Sequence, residues 1–125
     1  MATASLRTAG SSHAVLYVHP DCSKSRGAVE LLQARGIGFE RRDYLAQPLD
    51  AGELRALIAA LGVPAGELLR IDDARGQGLL PSAELTGDAV VALLQAHPAL
   101  MQRPVLRIGD RAVIARPPER ALQLL

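Results

Sequence analysis

One thiol stands in this chain, Cys22, within His19-Pro20-Asp21-Cys22-Ser23-Lys24-Ser25-Arg26. The apolar run Ala14-Val15-Leu16-Tyr17-Val18 leads into it, and Gly27-Ala28-Val29-Glu30-Leu31-Leu32 leads out with helical character. The thiol therefore falls where a strand gives way to the first turn of a helix. Unpaired N–H groups and the positive end of the helix dipole favour a thiolate there. A thiolate is a strong nucleophile, and its chemistry would be redox or group transfer. The competing reading is structural, because free cysteine packs as a small hydrophobe. Arg26 lies four residues on, one helical turn away on the same face, where a cation lowers a thiol pKa further.

Ser25 lies three residues beyond Cys22, where a dithiol redox motif carries its second cysteine. Cys-x-x-Ser has no local resolving thiol, so an outside thiol must clear any covalent adduct on Cys22. Ser25 is a candidate to donate a hydrogen bond to the thiolate or to cap the first helical turn. One cysteine and three histidines show no metal-ligand spacing, so no metal site is expected.

The elements that position Cys22 follow from hydrophobic period and turn chemistry. A first strand is predicted over residues 14–18 and a first helix over 23–35, closed by Gly36 in the left-handed position. A second strand is predicted over 37–44, and strand–helix–strand order implies a parallel pair. Asp50 opens a helix whose Leu54, Leu57, Ile58 and Leu61 share one face, with Glu53 placed to cap back. Gly62 and Pro64 end it, and a helical turn is expected over 67–70. Residues 71–81, with Gly76 and Gly78, read as a mobile loop. Thr86 caps a helix over 87–97. Val105–Ile108, Gly109-Asp110 and Arg111–Ile114 read as a tight hairpin, and a last helix is predicted over 118–125. The fold class is α/β: β-α-β, a helical insert, then β-β-α, which is the order of the thioredoxin-like fold.

Composition bounds the rest. The chain has 125 residues, enough for one domain with its own core. Residues 1–12 are small and polar, lack the apolar core of a signal peptide, and read as a flexible tail before a domain over 13–125. No apolar run approaches membrane-spanning length. A lone cysteine suits a reducing compartment, and cytoplasm is the expected location. A net charge of +1, with Tyr17, Phe39 and Tyr44 as the aromatic residues, argues against nucleic-acid binding.

Four blocks carry a resemblance to a known family. They are residues 19–26, Glu67-Leu68-Leu69-Arg70, Gln95-Ala96-His97-Pro98-Ala99-Leu100-Met101-Gln102-Arg103-Pro104-Val105, and Ala115-Arg116-Pro117. In order and spacing the chain resembles the glutaredoxin-dependent arsenate reductases, within the arsenate reductase and Spx-type group on a thioredoxin-like fold. The resemblance implies that Cys22 attacks arsenate and that Arg70, Arg103 and Arg116 hold the oxyanion. Pro104 matches the family proline opposite the cysteine, which is usually cis. It also implies glutathione as co-substrate, glutaredoxin as partner, no tightly bound cofactor, a monomer, and a role in arsenic detoxification. Arginine suits such a site on physical grounds, since its planar fork pairs bidentately with oxyanions and keeps its charge.

Departures from the family lie at Val18 and His19, where polar residues are usual, and in the loop after Arg70. They keep open a glutathione-dependent thiol reductase or transferase without arsenate activity. A non-enzymatic Spx-type regulator is disfavoured, because Ser25 removes the Cys-x-x-Cys switch. Arg41, Arg42, Arg75, Arg107, Arg111 and Arg120 match no block and read as solvated surface.

Overall fold

The computed structural model describes residues 13–81 and 84–125. The expected tail over 1–12 lies outside the described residues. Four strands, β1 (Ala14–Val18), β2 (Glu40–Asp43), β3 (Val105–Ile108) and β4 (Arg111–Ile114), form one sheet in the order β2-β1-β3-β4. β1 and β2 run parallel, while β3 is antiparallel to both β1 and β4. Among the described residues the α-helices are α1 (Ser23–Ala34), α2 (Ala51–Leu61), α3 (Ile71–Gly76) and α4 (Gly87–Ala96). Short 3₁₀ turns cover Ala65–Leu68, Pro98–Leu100 and Pro118–Leu124.

The alternation of side chains along each strand builds two cores. On one face Leu16, Val18, Leu106 and Val113 pack with Ala28, Val29 and Leu32 of α1 and with Ala121. On the other, Tyr17, Val105 and Ala112 pack with Leu54 and Leu57 of α2 and with Val90, Val91 and Leu94 of α4.

Capping follows the residue chemistry. Gly36, at φ 68°, closes α1: its N–H reaches the Gln33 carbonyl, and the Ile37 N–H reaches the Leu32 carbonyl. That turn uses Ile37, so β2 begins at Glu40 rather than at 37. Asp50 and Thr86 accept from the N–H groups of Glu53 and Ala89, at 2.8 and 3.2 Å.

Several expectations need correction. Residues 71–76 form α3, not the start of a loop. Asp72 and Asp73 sit in its first turn, where the helix dipole favours acids, and Ala74 is buried beneath it. The two glycines that suggested a loop come at its end, with Gly78 at φ 70°. The C-terminal segment is a 3₁₀ turn rather than an α-helix. Glu53 does not cap back. Its carboxylate instead takes a two-point clasp from Arg42, at 2.8 and 3.0 Å, and accepts from the Tyr17 hydroxyl at 3.1 Å. Arg42 also donates to the Gln47 and Pro48 carbonyls, so it is a half-buried clamp between β2, the following loop and α2, not solvated surface.

Candidate active site

The strand directions gather one end of the sheet. β1 ends at Val18, paired with Asp43 at the end of β2, and Tyr17 pairs with Val105 at the start of β3. Val105 in turn pairs with Ile114 at the end of β4. Cys22, Tyr44, Arg103 and Arg116 therefore leave the sheet at the same edge, although up to 94 residues separate them.

Cys22 is the N-cap of α1, half-buried, and it is a free thiol. Burial pushes its pKa up, but the N–H groups of Ser25 and Lys24 lower it. So do the Ser25 hydroxyl and the Arg103 guanidinium, and the thiol ends below its ordinary value. The helix terminus thus acts on the thiol through specific N–H donors. Ser25 is buried, and its hydroxyl also accepts from the His19 N–H at 3.1 Å, which ties the loop before Cys22 to the first turn of α1. Arg26 is exposed; its backbone N–H donates to the Cys22 carbonyl at 3.2 Å, but its side chain makes no hydrogen bond or ion pair among the described residues. The cation acting on Cys22 is Arg103.

Arg103 precedes a cis bond to Pro104. Its Nη1 donates to the Ala99 carbonyl at 2.8 Å, and its Nε is buried without a hydrogen-bond partner among the described residues. Arg116, exposed and also before a cis proline, donates from Nη1 to the Arg103 carbonyl at 3.3 Å. Arg70 is stapled to the same region through its backbone. Its N–H donates to the Leu100 carbonyl and the Gln102 N–H donates to the Leu68 carbonyl, each at 2.7 Å. All three arginines selected from the sequence therefore meet at one end of the sheet, joined to one another through the segment 100–103.

Two residues of this region were not selected from the sequence. Tyr44, just past β2, is buried and donates to the Met101 carbonyl at 3.2 Å. Burial raises its pKa, opposed by Arg103 and Arg70 and reinforced by Cys22. Its ring meets that of His19 edge-on, with centroids 6.4 Å apart. The available signal was its position at the end of the strand parallel to β1. Asp73 accepts from Arg70 Nε at 2.7 Å, and the Arg70-x-x-Asp73 spacing would have indicated it once α3 was recognised as a helix. His19 turns its Nδ1 to the Asp21 N–H at 3.1 Å, a local loop bond.

A cleft of about 710 Å³ adjoins this region. Arg70, Asp73, Gln102, Arg116 and Arg120 are among its walls, but Cys22 and Arg103 are not. The cleft therefore adjoins the segment 100–103 without being lined by the thiol. Among the described residues no group of three His, Cys, Asp or Glu side chains is placed to hold a metal ion. None of their helices is long and apolar enough to cross a membrane.

This sheet, with a half-buried thiol capping its first helix, defines an α/β protein of the thioredoxin-like class. Residues 17–124 match the ArsC family, and the chain belongs to it. It is 36% identical over 106 residues to an arsenate reductase of Neisseria meningitidis, covering 83% of this chain and 91% of that one. It is 37% identical to the uncharacterized protein YfgD of Escherichia coli, covering 88% of this chain and 94% of that one. The structure of an arsenate reductase from Vibrio cholerae superposes with a TM-score of 0.79 at 31% identity, covering 92% of this chain and 99% of that one.

Proposed function

We propose that this protein is an arsenate reductase that draws its electrons from glutathione and glutaredoxin. The observation that carries the reading is the placement of a thiol of lowered pKa beside Arg103, with Arg70 and Arg116 fastened to the same segment. A nucleophile and three cations at one place suit a tetrahedral oxyanion. The names of the Neisseria and Vibrio relatives support the same substrate.

In this reading the Cys22 thiolate attacks arsenic(V), forming a sulfur–arsenic bond. Hydroxide leaves and is protonated to water. Arg70, Arg103 and Arg116 hold the remaining oxygens and stabilise the charge that develops on them. The second thiol comes from glutathione, because Cys22 has no partner cysteine in the chain. If that thiol attacks Cys22 Sγ, the sulfur–arsenic bond pair stays on arsenic, which leaves as arsenite, and Cys22 is glutathionylated. If it attacks arsenic, a second hydroxide leaves as water and a mixed Cys22–arsenic–glutathione adduct forms first. Its two sulfurs then join as a Cys22–glutathione disulfide, the freed electron pair stays on arsenic, and water restores the oxygen as arsenite leaves. Glutaredoxin then reduces the resulting disulfide and returns the Cys22 thiol. A reducing cytoplasm supplies both thiols.

The deciding experiment is an arsenate-dependent turnover assay with glutathione, glutaredoxin and a coupled glutathione reductase. Turnover of thiol–disulfide substrates with none on arsenate would favour the thiol reductase alternative.

A further inference from the structure

We propose that Asp73 is the positioning residue of Arg70, holding its guanidinium by the Nε edge so that both terminal nitrogens stay available to an oxyanion. The inference rests on the arsenate-reductase reading and deepens it.

Arg70 is fixed at its backbone. The hydrogen bonds between segments 68–70 and 100–102, with Leu69 bridging Met101, set its Cα against the strand-like segment that ends in Arg103. They do not fix its side chain, which keeps the rotamer freedom of a long residue unless something holds the guanidinium. Asp73, in the first turn of α3, does so with a charge-assisted bond of 2.7 Å from Nε to Oδ2. No other hydrogen bond of the Arg70 side chain is present among the described residues, so both Nη groups remain unengaged.

The neighbouring acid makes the contrast. Asp72 pairs with Arg75 at 3.0 Å in an exposed i,i+3 contact, the kind of surface pair that contributes little. Arg70 is different: its side chain is 24% exposed and it sits at the site. The Asp73 carboxyl is held below its usual range by the hydrogen bond and charge of Arg70 and, more weakly, by the charge of Arg103. The carboxylate thus lies within the field of two of the site's cations. Fixing the guanidinium beforehand removes an ordering cost from oxyanion binding. The opposite role is also definite: a carboxylate there could compete with the oxyanion for Arg70.

The test is a double-mutant cycle on the full chain with Asp73→Ala, Asp73→Asn, Arg70→Ala and Arg70→Ala/Asp73→Ala. The readouts are KM and kcat for arsenate, protection of Cys22 by arsenate against iodoacetamide, and thermal unfolding of each variant. Positioning predicts that Asp73→Ala raises KM by about tenfold with a smaller change in kcat. Asp73→Asn, which keeps an acceptor oxygen, should recover part of the loss and also serves if the alanine variant does not fold. With Arg70 already alanine, removing Asp73 should have no further effect. An unchanged KM overturns the proposal, as does an equal loss in the Arg70→Ala background. A lowered KM in the Asp73 variants overturns it in favour of competition. If arsenate is neither reduced by the wild-type protein nor protects its Cys22, the arsenate-reductase reading itself fails, and this inference with it.

Discussion

Arg116 donates from Nη1 to the backbone carbonyl of Arg103 at 3.3 Å, fastening the loop after β4 to the loop before β3. Arg103 in turn lies at the Cys22 thiol, where its guanidinium favours the thiolate. A side chain from residue 116 is therefore one backbone carbonyl away from the group that acts on Cys22.

Replacing Arg103 or Arg116 by lysine keeps the charge and loses the planar fork. Each change is expected to lower kcat/KM for arsenate by about 10²–10³, the usual effect of removing one preorganised donor. Arg116→Lys should in addition loosen the bond to the Arg103 carbonyl. Steady-state kinetics check this, and near wild-type values in both variants would contradict bidentate holding.

Cys22→Ser is expected to abolish arsenate reduction and leave the fold intact. The side chain is only half-buried, and a serine oxygen can accept from the same Ser25 and Lys24 N–H groups, so the fold does not depend on sulfur. Circular dichroism and thermal unfolding report the fold, and the coupled assay reports activity. Turnover by the serine variant would end the mechanism proposed above.

The pH dependence of Cys22 follows from an acid whose folded pKa is lowered. The thiolate persists in the folded protein at pH values where a free thiol is protonated. Its contribution to stability is present above the ordinary thiol pKa and is lost as pH falls through the lowered folded value. Iodoacetamide alkylation rate against pH should show a midpoint below that of a free thiol. Arg103→Ala should move the midpoint up, and Arg26→Ala should move it much less. The reverse order would return the role to Arg26.

The Arg42–Glu53 clasp predicts a stability effect away from the site. Glu53→Ala leaves a half-buried guanidinium and the Tyr17 hydroxyl without their acceptor. The expected loss is about 2–3 kcal/mol in urea unfolding. Burial first, and then Glu53, push the Tyr17 pKa up to about 12. A raised folded value means that this stabilisation is present below the ordinary tyrosine pKa of about 10 and is lost as pH rises through the folded value. Tyr17→Phe should remove that alkaline dependence from the unfolding profile.

Strict dependence on an external monothiol is the last prediction. Self-resolution needs a second cysteine with its Cα about 4.4–6.8 Å away, and the chain has none. Arsenate and glutathione without glutaredoxin should trap either a Cys22–arsenic–glutathione adduct or glutathionylated Cys22. Intact-protein mass spectrometry distinguishes them. Multiple turnovers with thioredoxin and its reductase alone would point to a different reducing partner.

Local information in the sequence was enough for the junction at Cys22, the helix caps at Gly36, Asp50 and Thr86, and the hairpin at Gly109. Each depends on residues within a few positions of one another. The three arginines were legible only through motif resemblance, because nothing local says that residues 70, 103 and 116 meet. The same limit hid the partners of long side chains. Glu53 has the spacing of a capping residue, yet a two-point bond from Arg42 across the fold outcompetes the backbone. Arg26 has the right helical spacing to Cys22, but it stays at the surface, while Arg103, 81 positions beyond Cys22, reaches the thiol. Residues 71–81 read as loop because Gly76 and Gly78 punctuate them, whereas Ala74 buried in the core and two acids at the helix start make residues 71–76 helical. Chain chemistry fixes elements over a few residues. Which charge meets which thiol, carboxylate or hydroxyl depends on strand order and on what burial leaves within hydrogen-bond reach, and only the assembled tertiary structure decides that.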